Sequence, residues 1–378
     1  MTMAMLEATP VLALLGCGIF ARDAYLPILQ NIRTCLSLQV VWSRTQASAE
    51  SLLSKVREFS PKAEAEWGEE GLERILSSPH IHCCAVVLPI LVQPGIVFRA
   101  LCAGKHVLQE KPIAGTMSEG IKSLRNFTSH FEGCEDKTPI WAVAENFRFE
   151  PAFYKAQKII SSLGSVVVVQ VNIEVPMNAK SKYFESEWRR DPDLKGAFIT
   201  DCGVHFVAGL RAMMGGNDIV SVAAITTHRD ALVPPPDTLT ALMKFRNGFS
   251  GVMVITYSSS NYKASWRVVC SEGSVEVERG FKDSQFGYTV TYTPLEGKGS
   301  SEFVPLYGLE AELRAFASDV QRNILQVGLI PDWRSSPPEA LQDLAIIETC
   351  LASGSRKDAP VAMGIPLVSE RMWTEKSQ

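Results

Sequence analysis

Val11–Leu15 is an unbroken apolar run that ends in Gly-Cys-Gly, which is how a strand buried on both faces and closed by a tight turn reads. Similar continuous runs recur at 37–42, 83–88, 106–109 and 139–144. Between them, apolar residues fall at helical spacing over about 21–32, 45–59, 96–103 and 118–131. Strand and helix alternating at this interval predict βαβ units and a parallel, doubly wound sheet. The pattern changes after Phe149. A helix over 151–163, a β-branched strand over 166–175 and a helix over 196–214 ending at Gly215-Gly216 come first. Strand-like segments then follow one another directly, at 220–227, 238–245, 251–257, 266–270, 274–278 and 288–292, with Asn247-Gly248 and Glu272-Gly273 as hairpin turns. Helices over 309–325 and 338–352 close the pattern.

The expected architecture is α/β. Residues 1–149 form an N-terminal Rossmann domain with a doubly wound parallel sheet. Residues 150–378 form a C-terminal α+β domain with a mostly antiparallel open sheet and helices on one face, the last helix being able to fold back on the first domain. A chain of 378 residues is long enough for two such cores.

Composition narrows the function. Hydrophobic residues make up 46% and charged residues 21%, a globular balance, and the formal net charge is -4. With no run of Lys and Arg, nucleic acid is not the expected partner. No apolar stretch reaches membrane-span length, and the start lacks the basic region of a signal peptide, so a cytoplasmic location is expected. The nine cysteines, Cys134 among them, are scattered without C-x-x-C spacing; neither a disulfide framework nor a metal site is indicated, and a reducing compartment fits. Five of the histidines (His80, His82, His106, His130 and His228) have no partner at ligand spacing and read as structural.

Gly16-Cys-Gly18-Ile19-Phe20-Ala21 is a G-x-G-x-x-A in the right context, after a strand and opening a helix. Gly16 serves the tight turn, Gly18 lets a pyrophosphate approach the backbone, and Ala21 lets the helix lie close to the sheet. The helix N-terminus then offers free N–H groups to phosphate. At the end of the second strand, where an acidic residue would hold the ribose hydroxyls of NAD, stand Ser43 and Arg44. A hydroxyl and a guanidinium suit a 2′-phosphate, so NADP(H) is expected over NAD(H).

Ala103-Gly-Lys-His-Val followed by Glu110-Lys111-Pro112 resembles the glucose–fructose oxidoreductase / inositol dehydrogenase (Gfo/Idh/MocA) family. The resemblance continues through Glu145-Asn146-Phe-Arg148, Trp188-Arg189, Gly196 to His205, and Ser336 to Leu344, and so covers nearly the whole chain. It implies oxidation of a secondary alcohol or reduction of a ketone, often on a sugar or polyol ring. Lys111 would contact the reacting oxygen, His205 would donate and accept its proton, and Asp201 would support both. Glu110 would sit by the nicotinamide ribose, with Leu88, Pro89, Gln93 and Asn146 also lining the cofactor trough. Arg148, Tyr183, Trp188 and Arg189 are candidate substrate contacts, and homodimers or homotetramers are implied. Elementary chemistry agrees: hydride transfer requires a proton to move in step, which histidine does near neutrality and a desolvated lysine can also do. Asp201 and His205, four apart on a helix, share one side.

Three positions depart from the family pattern. Gln93 stands where His is common, Lys195 precedes Gly196 where Gly is usual, and Ala208 replaces an acidic residue. The alternative is a catalytically silent, cofactor-binding regulatory protein of the same fold, which would be expected to lose Lys111 or His205. A glycoside-cleaving reaction with NAD reoxidised in each cycle is also compatible with the family, though Ser43-Arg44 disfavours it.

Overall fold

The computed structural model describes residues 9–133, 138–178, 181–184, 187–191, 194, 196–216, 218–325, 331–356 and 362–364; Cys134 and Lys195 lie outside them. The first half is built from β1 (Val11–Leu15), a wide π-type turn (Ala21–Tyr25) running into α1 (Leu26–Asn31), β2 (Ser37–Ser43), α2 (Gln46–Val56), β3 (Glu64–Trp67), α3 (Gly68–Ser77), β4 (Cys83–Val86), α4 (Gln93–Cys102), β5 (His106–Glu110), α5 (Met117–Phe131) and β6 (Trp141–Ala144). Its six strands are all parallel in the order β3-β2-β1-β4-β5-β6, a Rossmann sheet. The expected elements omit β3 and α3; α3 does carry helical spacing, with Leu72, Ile75 and Leu76 buried on one face, whereas β3 escapes a reading by periodicity. β3 is short, polar and at the sheet edge, so no apolar run marks it.

A 3₁₀ turn (Asn146–Phe149) leads to α6 (Pro151–Ile160), β7 (Val166–Pro176), a second 3₁₀ turn (Glu187–Arg190) and α7 (Ala197–Met214). Next come β8 (Ile219–Thr227), β9 (Thr238–Phe245), β10 (Ser250–Thr256), β11 (Ser258–Cys270), β12 (Gly273–Lys282), β13 (Gln285–Pro294) and β14 (Ser300–Pro305). The described chain ends with α8 (Gly308–Leu325), α9 (Pro337–Gly354) and the two-residue β15 (Met363–Gly364). The second sheet runs β14-β13-β12-β11-β7-β10-β9-β8-β15, antiparallel except for the parallel β7/β10 pair. Both expected hairpins form, with Gly248 at φ +92° and Gly273 at φ +152°. A third, between β12 and β13, turns on Asp283 and Ser284 at φ +49° and +65°, without the glycine that would have announced it.

Alternate residues of β1 serve two cores. Leu12 and Leu14 join a cluster that includes Tyr25, Leu29 and, from far along the chain, Leu313, Phe316 and Val320 of α8. Ala13 and Leu15 join a larger cluster that runs through α5 and α9 into α7 and the inner face of the second sheet, including Val171, Ile173 and Trp266. Thus the penultimate helix, α8, joins α1 and α2 over one face of the first sheet, while α9 lies against α5, α7 and β8. His82 and His106 each accept a backbone N–H through Nδ1, from Val11 (2.9 Å) and Ile140 (3.0 Å), and so stitch neighbouring strands. Among the described residues no helix is long and apolar enough to cross a membrane.

Candidate active site

The carboxyl ends of β1, β2, β4 and β5 converge on the glycine turn. Gly16 has φ +123°, and a Cβ there would sit 2.0 Å from the Val87 carbonyl oxygen, so the close approach of β1 to the end of β4 demands glycine. Gly18 is different: it is exposed, and a Cβ would meet nothing within 4 Å. The space above its backbone is the kind of cradle a pyrophosphate fills, and Ile19 and Phe20 begin the first helical turn beside it. Ser43 ends β2, and Arg44 follows it, exposed, at the entry to α2. Past β4, the Leu88 carbonyl accepts a hydrogen bond from Gln93 Nε2 (3.0 Å), and Pro89 lies half-buried between them. The other amide atom, Gln93 Oε1, is buried without a partner, an acceptor left over for a donor such as a ribose hydroxyl. An open glycine cradle and an orphaned acceptor along one line of strand ends fit a dinucleotide.

The Glu110-Lys111-Pro112 turn follows β5 and is braced from below. Gln109 is fully buried, donates to the Ile113 carbonyl (2.8 Å) and accepts from Trp141 Nε1 (3.0 Å). The Lys111–Pro112 bond is cis. Lys111 Nζ donates to both the Asp201 carbonyl (2.8 Å) and Asp201 Oδ1 (2.9 Å), and Arg189 Nε donates to Asp201 Oδ2 (2.8 Å). Asp201 is therefore a buried anion gripped by two cations. Burial opposes its ionisation, but Lys111 and Arg189 outweigh that and hold its pKa below the carboxylate range. Burial likewise opposes the Lys111 ammonium, and Asp201 reverses the balance, so its pKa lies above the ordinary lysine value. The Arg189 guanidinium lies over the rings of Trp188 (4.1 Å), Tyr183 (5.1 Å) and Phe198 (5.8 Å), which joins three of the expected substrate contacts in one cluster beside Lys111.

His205, one turn after Asp201 on α7, turns to another carboxylate. Its Nδ1 lies 2.6 Å from Glu145 Oε1, and its ring stacks on Phe147 (centroids 4.8 Å apart). Burial is the largest influence on the imidazole and lowers its pKa, against the pull of Glu145.

This arrangement sits in a chain whose two halves each match one family. Residues 11–130 match the oxidoreductase family with an NAD-binding Rossmann fold, and residues 153–276 match the GFO/IDH/MocA C-terminal domain. The dehydrogenase FPY6 of Fusarium mangiferae is 31% identical over 353 residues, covering 91% of this chain and 96% of its own. The chain belongs to the Gfo/Idh/MocA family of oxidoreductases. A D-xylose 1-dehydrogenase (NADP(+)) of Haloferax volcanii is 27% identical over 66% of this chain and 73% of its own. Among solved structures, an oxidoreductase of Thermotoga maritima superposes with a TM-score of 0.77 at 26% identity, covering 94% of this chain and 98% of its own.

Within this family framework the structure corrects two expected roles. Asp201 does not reach both catalytic candidates: it holds Lys111 and Arg189, while Glu145 takes His205. Arg148 is not offered to a substrate. It is 3% exposed and forked onto Asp343 of α9, which also accepts from Arg211 (2.7 Å), so it ties the 3₁₀ turn to two helices. Glu110 is 7% exposed, accepts from the Tyr25 hydroxyl (2.7 Å), and burial pushes its pKa up to about 7. Asn146 is half-buried at the start of the 3₁₀ turn. Ala208 is fully buried, so the usual acidic residue there would have needed a different helix packing. A cavity of about 860 Å³ opens elsewhere, between Thr116, Ala197, His228, Pro235 and Glu348; neither Lys111 nor His205 lines it.

Proposed function

We propose that this oxidoreductase is NADP(H)-dependent and acts on a carbohydrate-like alcohol or carbonyl. The observation that carries the reading is that Lys111, at the end of a Rossmann strand, and His205, on a helix of the second half, each hold their own buried carboxylate, with the lysine charge bearing on the imidazole. Relatives named for D-xylose and scyllo-inositol dehydrogenation with NADP(+) support the substrate class.

When bound, the nicotinamide supplies or accepts the hydride. The chain handles the rest. Lys111 is held charged by Asp201, so its task is a fixed positive charge beside the reacting oxygen, strengthening as the oxygen gains negative character. His205, kept neutral by burial, takes the hydroxyl proton during oxidation and returns it during reduction. The ring faces of Tyr183 and Trp188 suit the apolar faces of a sugar ring, and Arg189 suits its hydroxyls. Screening NADPH oxidation against keto-sugars, aldehydes and diketones, and NADP reduction against polyols, tests the reading. Turnover of none of them, with the cofactor bound, would favour the silent regulatory alternative.

Cofactor preference follows from Ser43 and Arg44. Arg44 has no ion-pair partner among the described residues and is free to meet a 2′-phosphate. Arg44→Ala is expected to weaken NADPH binding by ~10-fold or more, the worth of a charge-assisted bond, with NADH little changed. Fluorescence titration with both cofactors measures it, and equal losses would remove the 2′-phosphate role.

A homodimer or homotetramer is part of the proposal. The outer face of the second sheet exposes Leu242 (65%) and Ile225 (52%), with Val252 and Val254 beside them. Light scattering of the native protein should give at least twice the monomer mass of 41.5 kDa. The reading also includes the cytoplasm, supported by the eight described cysteines being free thiols.

A further inference from the structure

We infer that Glu145 is the positioning residue of His205, so that the site works as two separate units: a fixed charge, Lys111 with Asp201, and an acid–base pair, His205 with Glu145. The inference rests on the oxidoreductase reading above and deepens it. Glu145 closes β6 and is 1% exposed. Its Oε1 accepts the Phe147 backbone N–H (3.1 Å) and meets His205 Nδ1 at 2.6 Å. The backbone bond fixes the carboxylate, and Phe147 then packs against the imidazole it orients, with 19° between the ring planes. Turn, carboxylate and ring thus form one rigid unit, in which a short segment sets both the hydrogen-bond partner and the stacking plane of the histidine.

The chemical consequence is a choice of tautomer. A carboxylate at Nδ1 requires the proton there, which leaves Nε2 as the basic nitrogen. During alcohol oxidation the substrate hydroxyl proton passes to Nε2, and the ring becomes an imidazolium whose Nδ1–H faces the Glu145 anion. During reduction the same proton returns to the oxygen. Asp201 cannot serve this purpose, because both its oxygens are already taken by Lys111 and Arg189.

Other charges surround the pair. Lys111 opposes protonation of His205 and Asp201 favours it, with Glu145 the strongest favourable neighbour. Around Glu145 lie Arg148 and Lys111, and two more buried acids, Glu110 and Glu312, the latter from α8 with both oxygens unpartnered. Burial raises the Glu312 pKa well above the ordinary carboxylate value, which favours its neutral form beside the Glu145 charge. Losing the Glu145 charge removes the main support of the imidazolium, and the His205 pKa falls.

The test compares the wild-type protein with E145Q, which keeps size and an acceptor oxygen but no charge. Nitrogen-15 NMR of the cofactor-free proteins reads the His205 tautomer and pKa, with H205N assigning the signal. The expected result is an Nδ1–H tautomer in the wild type and a pKa lower by about 1–3 units in E145Q. With an active substrate, the acid limb of the kcat profile for oxidation should move to lower pH by the same amount, kcat should fall ~10²-fold, and KM for NADP should hold. E145D should recover part of the loss, and E145Q/H205N should be no slower than H205N. A wild-type Nε2–H tautomer, or a His205 pKa unmoved in E145Q, would overturn the inference even if turnover is normal. Absence of turnover with the NMR result intact would instead count against the oxidoreductase reading.

Discussion

Lys111→Met should lower kcat by about 10²–10⁴-fold, and His205→Asn should do the same. The two losses have different origins. Methionine keeps most of the lysine length but removes a charge that Asp201 holds in place, so the developing oxyanion loses its stabilisation. Asp201 then remains as a buried anion with Arg189 alone, and some loss of thermal stability accompanies the rate. Asparagine at 205 removes the group that titrates, so the acid limb of the oxidation profile should vanish rather than shift. That limb belongs to His205 because its pKa is lowered by burial: the neutral base is present above that pKa and is lost as pH falls through it. Cofactor affinity should stay near wild type in both variants. Steady-state rates beside NADPH titrations check each point, and full activity in Lys111→Met would overturn the catalytic role given to Lys111.

Gly18→Val should abolish cofactor binding, by ~10²-fold or more, in a protein that folds normally, whereas Gly16→Ala should damage the fold as well. A Cβ at 18 meets nothing within 4 Å in the cofactor-free protein, so a side chain there is expected to cost little until a pyrophosphate needs the space. At 16 even one methyl would lie 2.0 Å from the Val87 carbonyl, on a backbone at φ +123°. Strain and forced separation of β1 from the end of β4 should together cost about 2–4 kcal/mol. Thermal unfolding of the cofactor-free variants separates the two cases, and isothermal titration supplies the affinities. Equal stability losses at 16 and 18 would mean that the glycines do not divide their work in this way.

The parts written in the sequence are those carried by local chemistry. Val11–Leu15 needs burial on both sides, and the glycines after it admit only a tight turn, so the Rossmann start is legible from local residue types alone. The same holds for the Asn247-Gly248 hairpin, whereas Lys111 and His205 are singled out by the family motifs they stand in rather than by residue type alone. What short-range pattern could not supply is partnership across distance. Asp201 lies four residues from His205 on one helix, and that proximity suggested a pair; the tertiary structure sends Asp201 to Lys111, ninety positions back, and His205 to Glu145, sixty back. Arg148 stands in the same motif as Glu145, yet packing against α9 commits it to Asp343, 195 residues on. Part of the cover of the first sheet, α8, likewise comes from near the other end of the chain, because Leu313, Phe316 and Val320 fill a surface that only the assembled sheet presents. A residue's type sets what it can bond; which of several eligible groups it meets is decided by how the two sheets and their helices close over one another.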